Sequence, residues 1–136
     1  MKILTFLARE FRWKTFSKTL EEAEDLDISD GVEQAVVAFF HIESRDCEEE
    51  PRVFRHALKH LKWLANKREL KNVVLHSFTH LGGDTADPAF ARAFFDRLAE
   101  RLESTGYAVK QTPFGYFCEW SLDVYGESLA KVFKEI

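Results

Sequence analysis

The run Ala35-Val36-Val37-Ala38-Phe39-Phe40, inside the segment Glu33 to Glu43, constrains the fold more than any other stretch of this chain. An unbroken apolar run rich in Val and Phe makes a poor surface helix and suits a strand covered on both faces. Such a strand sits mid-sheet, and its sheet needs packed layers around it. Asn72-Val73-Val74-Leu75-His76 is a second strand of this buried type. Two further segments have helical spacing. After an acidic loop from Asp46 to Glu50, Pro51 takes the expected first helical position, and Phe54, Ala57, Leu58, Leu61, Leu64 and Ala65 recur on one side. Asp87-Pro88 opens the other helix, whose Phe90, Ala91, Phe94, Phe95, Leu98 and Leu102 form a wide apolar face until Gly106 ends it.

The remaining elements are shorter. Ile3 to Ala8 reads as an apolar strand, and Phe11 to Thr15 alternates apolar and basic residues with period two, so the two together predict an opening hairpin. Glu21 to Asp30 is acidic and reads as a solvated connection. Tyr107 to Gln111 and Tyr116 to Val124 read as strands flanking a Pro113-Phe114-Gly115 turn, and Ser128 to Phe133 as a short closing helix. The expected order is β-β-β-α-β-α-β-β-α. It describes a single α/β domain over residues 1–136, with a mixed sheet, two long helices and a short C-terminal helix.

A net charge of −4 gives the whole molecule no pull on a polyanion, so any nucleic-acid contact must come from a local patch. Arg52, Arg55, Lys59 and Lys62 supply one, recurring opposite the apolar face of the first helix, with His56 and His60 alongside. Such a stripe is either a solvated face or a seat for a phosphate backbone. Cys47 and Cys118 lie far apart without CxxC spacing, which points to a reducing, cytoplasmic setting. Arg9 and Glu10 interrupt the apolar start too early for a secretory signal, and no stretch has the length of a membrane span.

Two segments carry the chemistry: His76 to Pro88, from a strand end through a glycine loop to a helix, and Thr112 to Trp120 around the Pro-Phe-Gly turn. Both geometries expose backbone N–H groups. His76 and His80 have the spacing of a helical metal pair, but a strand-to-loop stretch and the lack of a third ligand argue against a metal. Gly82-Gly83 before a helix invites an anion, yet it lacks the endings of nucleotide and dinucleotide loops, so no cofactor is expected. His80 is either a substrate-orienting group or an imidazole bonded to a carbonyl. Cys118 is a nucleophile if a base approaches it, and otherwise an inert strand cysteine.

With Met1-Lys2-Ile3-Leu4, Val37 to Glu43, Phe78-Thr79-His80-Leu81, Asp87-Pro88 and above all Pro113-Phe114-Gly115-Tyr116, the chain resembles the N-terminal editing domain of archaeal threonyl-tRNA synthetases. That domain has the fold of D-aminoacyl-tRNA deacylases. The resemblance implies a homodimer that binds the aminoacylated 3′ end of mischarged tRNA and hydrolyses the ester of a wrong amino acid, typically serine. It is either free-standing beside a separate threonyl-tRNA synthetase or part of one. By position, the resemblance lines the pocket with Ile42, Ser77, Phe78, Thr79, His80 and Phe114, largely through backbone groups, followed by Gly115, Tyr116 and Phe117.

The chain departs from the family at charged positions. Cys118 stands where the family usually carries a lysine, Phe117 where it often has tyrosine, and Lys131 opposite the family's glutamate, with Glu127 one turn away. Leu7-Ala8-Arg9 replaces a His-Ser-Asp run. The paired changes suggest a relocated charge, with the Lys131 ammonium sent toward Cys118, which makes His80, Cys118 and Lys131 the candidate catalytic side chains. Two rivals remain. One is a tRNA-binding or dimerisation module that has lost turnover, and the other a hydrolase of another small ester or D-aminoacyl adduct.

Overall fold

The computed structural model describes all residues, 1–136. Its strands are β1 (Lys2–Lys18), β2 (Ser29–His41), β3 (Asn72–Ser77), β4 (Ala108–Gln111), β5 (Tyr116–Val124) and β6 (Lys131–Glu135). The helices are α1 (Glu50–Lys67) and α2 (Pro88–Ser104), with 3-10 turns at Ser44–Cys47 and Ser128–Ala130. All six strands join one sheet in the order β4-β3-β2-β1-β5, with β6 also pairing β1. β2, β3 and β4 run parallel, and β1 is antiparallel to β2, β5 and β6. β2 thus lies inside the sheet, and its residues from Ala35 to His41 are all buried.

The sheet folds back on itself. Pairing of β1 with β2 lapses at Arg9 and Gln34, the latter at φ 50°, and β1 bulges against β5 between Ala8 and Glu10. Phe39 is paired with Leu4, and Phe11 lies roughly 23 Å further along a flat strand. Their ring centroids are nevertheless 6.1 Å apart. A bend at Arg9 and Gln34 closes that gap, and Phe11, Trp13, Val37, Phe39 and Val74 fill the space between the two limbs. The helices cover the other face of the sheet, where Phe40 meets Phe95 edge-on at 5.5 Å within a larger core of 26 buried residues. Each fully buried Phe or Leu there contributes about 1.5–3 kcal/mol.

Three expectations are corrected. The opening hairpin is one 17-residue strand, because Arg9 and Glu10 sit at a bulge, where a strand bends without ending. The strands flanking the Pro-Phe-Gly turn do not pair with each other. β4 adds to β3 and β5 to β1, so residues 112–115 link the two ends of the strand order. The closing helix is a single 3-10 turn followed by β6. Lys131 to Glu135 alternates exposed and half-buried residues, and the free edge of β1 takes up its backbone, outweighing a helix too short to sustain itself.

The helix boundaries follow the sequence closely. Asp87 caps α2 by accepting from the Ala89 N–H at 3.1 Å, and Gly106 leaves it at φ 97°. Pro51 stands one residue inside α1. His60 is the exception on α1. It faces the core instead of the basic stripe, 3.3 Å from the Thr5 hydroxyl, and burial, with Lys134 nearby, lowers its pKa to about 4.

Candidate functional site

A cleft of about 350 Å³ opens at the C-terminal end of β3, where ligands gather in open α/β sheets. Its first wall is Ile42 and the segment Ser77, Phe78, Thr79, His80, Thr85 and Ala86; its second is Thr112 to Phe117. His76, Cys118 and Trp120 also line it, and Thr19 and Leu20 approach from the end of β1. The structure therefore brings Ile42, Ser77, Phe78, Thr79, His80, Phe114, Gly115, Tyr116, Phe117 and Cys118 to one place.

The backbone of both walls is only partly paired. Phe78 N–H is taken by the Phe40 carbonyl at 2.8 Å and Thr112 N–H by the Leu75 carbonyl at 3.1 Å. Beyond these anchors the chain leaves the sheet, and the N–H groups of Thr79, His80, Phe114 and Gly115 have no protein acceptor. Gly115 holds its turn at φ 84°, a conformation that side-chain-bearing residues rarely adopt. Its carbonyl accepts from Thr19 N–H at 2.8 Å and Leu20 N–H at 3.4 Å, which ties the turn to the β1 end.

Three side chains of chemical interest line the cleft. His76 is buried, bonded through Nδ1 to the Thr112 hydroxyl at 2.8 Å, and burial lowers its pKa to about 4, so it is neutral at neutral pH. That bond ties the base of the first wall to the base of the second. Cys118 is half-buried against the inter-limb cluster, no base is hydrogen-bonded to it, and burial pushes its thiol pKa up. It is a neutral thiol at neutral pH, without the electropositive setting that activates a nucleophile. His80 is exposed, its ring edge-on to Phe78 at 5.0 Å.

Lys131 is not brought to Cys118. It sits on β6 opposite Phe6, exposed, and its ammonium bonds the Tyr125 carbonyl at 3.1 Å, outside the cleft. The relocated charge is thus overturned, because the strand that replaces the expected helix points Lys131 elsewhere. Glu127 is engaged by Arg68 at 2.5 Å. Arg52, Arg55 and Lys59 are exposed on α1 and Lys62 is half-buried; none lines the cleft, and Arg52 is paired with Glu49 at 2.6 Å. No group of three or more His, Cys, Asp or Glu is placed to hold a metal ion, and no helix is long and apolar enough to cross a membrane.

Sequence reasoning missed the residues behind the first wall. His41 bonds Leu81 N–H and the Asp84 carbonyl, and Ser44 bonds the Asp84 carboxylate, holding the glycine loop against the end of β2. Beneath Gly82 lies Glu43. Burial raises its carboxyl pKa, but hydrogen bonds from the Lys2 ammonium and the Met1 amino group outweigh that and bring it to about 2. The missed signal was His41 itself, a polar residue at the end of an otherwise apolar buried run.

The fold has relatives. Over its whole length the chain is similar to a solved structure of the c-Myc DNA Unwinding Element Binding Protein, with TM-score 0.68, 13% identity, and coverage of 100% of this chain and 99% of that one. The two share a fold, a mixed sheet with two helices. Among curated proteins, the threonine–tRNA ligase of Staphylothermus marinus is 33% identical over 100% of this chain, and that of Thermofilum pendens 31% identical over 100%. The chain spans 22% of the length of each of these ligases. The family model described as the archaea-specific editing domain of threonyl-tRNA synthetase matches residues 1–136. By that match, this chain belongs to the archaea-specific editing domain family of threonyl-tRNA synthetase.

Proposed function

We propose that the cleft receives the aminoacylated 3′ end of a tRNA and hydrolyses the ester of a wrongly attached amino acid, serine on the tRNA for threonine being the leading substrate. The observation that carries this reading is the four unpartnered N–H groups, Thr79 and His80 on one wall, Phe114 and Gly115 on the other. Attack of water on an ester carbonyl places negative charge on its oxygen, and fixed backbone donors stabilise that charge without reorganising. No lysine ammonium stands in the cleft, and Cys118 is a neutral thiol, so the amides carry this load. A water polarised by the substrate's own ribose hydroxyl completes the set, with His80 as the exposed imidazole at the rim.

The exposed Arg52, Arg55 and Lys59 offer phosphate contacts for the tRNA body, and exposed Phe16 and Phe133 offer apolar surface for a homodimer. The setting we propose is cytoplasmic, within or beside a threonyl-tRNA synthetase. The deciding experiment incubates the domain with a panel of aminoacyl-tRNAs and follows release of the amino acid. Seryl-tRNA for threonine should be emptied much faster than the cognate threonyl-tRNA. The absence of a cleft ammonium favours one rival, a tRNA-binding module without turnover. That rival predicts intact seryl-tRNA together with binding that weakens steeply as salt is added.

A further inference from the structure

We infer that His41 is the positioning residue of the first cleft wall, and that through it the Thr79 and His80 N–H donors are held in place. Its kinetic consequence rests on the deacylase reading; its structural consequence does not. His41 ends β2, is fully buried, and spends both ring nitrogens on one loop. Leu81 N–H donates to Nδ1 at 3.0 Å, and Nε2 lies 2.6 Å from the Asp84 carbonyl oxygen. An amide only donates and a carbonyl only accepts, so the ring is neutral with its proton on Nε2.

The loop has few other ties. Phe78 N–H is anchored on Phe40 and Ala86 N–H on Ile42. Between them, every hydrogen bond from residues 79–85 ends on His41 or on Ser44. The Ser44 bonds, from its N–H and hydroxyl to the Asp84 carboxylate, lie at the exposed rim, so the part-buried His41 pair is the more sheltered half of the clasp. Gly82 shows how closely the loop lies on it. A Cβ there would stand 3.0 Å from the Lys2 Nζ, 3.3 Å from the His41 Cε1 and 3.4 Å from the Glu43 Oε2. Replacing the imidazole by a ring without nitrogens leaves Leu81 N–H and the Asp84 carbonyl without partners and lets the wall shift.

A displacement of about 1 Å at reacting groups costs about 100-fold in rate. The test compares His41→Phe with His41→Asn, which keeps an acceptor near Nδ1, and His41→Gln, which keeps a donor near Nε2. For each, kcat and KM for seryl-tRNA are measured beside amide hydrogen exchange at Leu81, with the sheet amides of Val37 and Val74 as controls. His41→Phe should lower kcat about 100-fold with KM within about threefold, in line with a positional loss. Exchange at Leu81 should quicken at least about tenfold with the sheet amides unmoved, and Asn and Gln should fall between. A Phe variant that keeps wild-type kcat or wild-type exchange at Leu81 overturns the proposal. If His41→Phe loosens the sheet as well, the Asn and Gln variants decide. Partial retention supports the clasp, and behaviour identical to Phe overturns it. If the wild-type domain empties no aminoacyl-tRNA, the deacylase reading fails separately and exchange at Leu81 decides alone.

Discussion

The two walls of the cleft are built by different means. The first, residues 77–86, has backbone anchors only at Phe78 and Ala86, and between them every bond involves a side chain, through His41 and Ser44. The second, residues 112–117, is held mainly by backbone. Thr112 hangs from Leu75, Gly115 from Thr19 and Leu20, and β5 runs on along β1. A wall made of ladder tolerates new side chains, whereas a wall made of side-chain struts depends on a few residues. Phe117 and Cys118 lie where the backbone carries the structure, paired with β1. The His76 to Thr112 bond joins the two bases through side chains.

Acid should therefore break the arrangement first, and with the largest effect, at His76. Burial holds its folded-state pKa near 4, below the ordinary 6.5. Above pH 6.5 neither the folded nor the unfolded chain carries that proton. Between 6.5 and 4 the unfolded chain binds a proton that the folded chain refuses, so stability falls as pH falls, by about 3 kcal/mol in all. His60 adds a slope of the same sign. Urea midpoints of the wild type and His76→Gln, measured from pH 7.5 to 4.5, isolate the contribution. Equal losses in the two proteins would remove His76 from the account.

Next in size is a break in the backbone wall. Gly115→Val forces a branched side chain onto φ 84°, and its Cβ meets Ala23 Cβ at 3.2 Å and Leu20 Cδ1 at 3.3 Å. The cost should be about 1–3 kcal/mol, with deacylation falling as the Phe114 and Gly115 donors move. Thermal melts and aminoacyl release on one preparation check both. An unchanged melting temperature would show that the turn relaxes freely.

The same contrast explains what the sequence made legible. The inner strand, the Asp87 cap, Gly106 and the turn at Gly115 are local features whose physics sits within a few residues, and each was readable. That residues 76–80 and 112–118 line one cleft follows from strand ends and a glycine turn, which are local as well. What escaped was non-local. Arg9-Glu10 reads as a strand's end unless the folded-back limb is known, and Lys131 to Glu135 becomes a strand only because β1 has a free edge. His60 joins the core because Thr5 waits across from it, and the pairing of His41 with Leu81 and Asp84 spans some forty positions.

A smaller effect sharpens the comparison from the other side. Beside Thr112, Tyr116 is the side-chain strut of the second wall, its hydroxyl accepting from Leu26 N–H at 2.8 Å and bonding the Glu24 carbonyl at 2.5 Å. Tyr116→Phe should cost about 1 kcal/mol and loosen the 19–28 connection. Deacylation should stay within about threefold, because the ladder and the Gly115 bonds keep the turn in register. A large kinetic loss would mean that this wall, too, depends on its struts.

The smallest expected effect falls on the residue that looks most reactive. Cys118 has a thiol in the cleft, yet burial pushes its pKa up, the inter-limb cluster packs against it, and no base is hydrogen-bonded to it. Cys118→Ser should leave deacylation within about twofold, since a neutral thiol that only lines the cleft contributes no thiolate chemistry. Cys47, the other free cysteine, is exposed and serves as an internal reference. Limiting iodoacetamide at pH 7.5 should label Cys47 first. If Cys118 is labelled first and its serine variant is inactive, covalent catalysis replaces the amide-based account. If neither happens, Cys118 is a packing residue, and the chemistry rests on the backbone donors of both walls, those of the first hanging on one histidine.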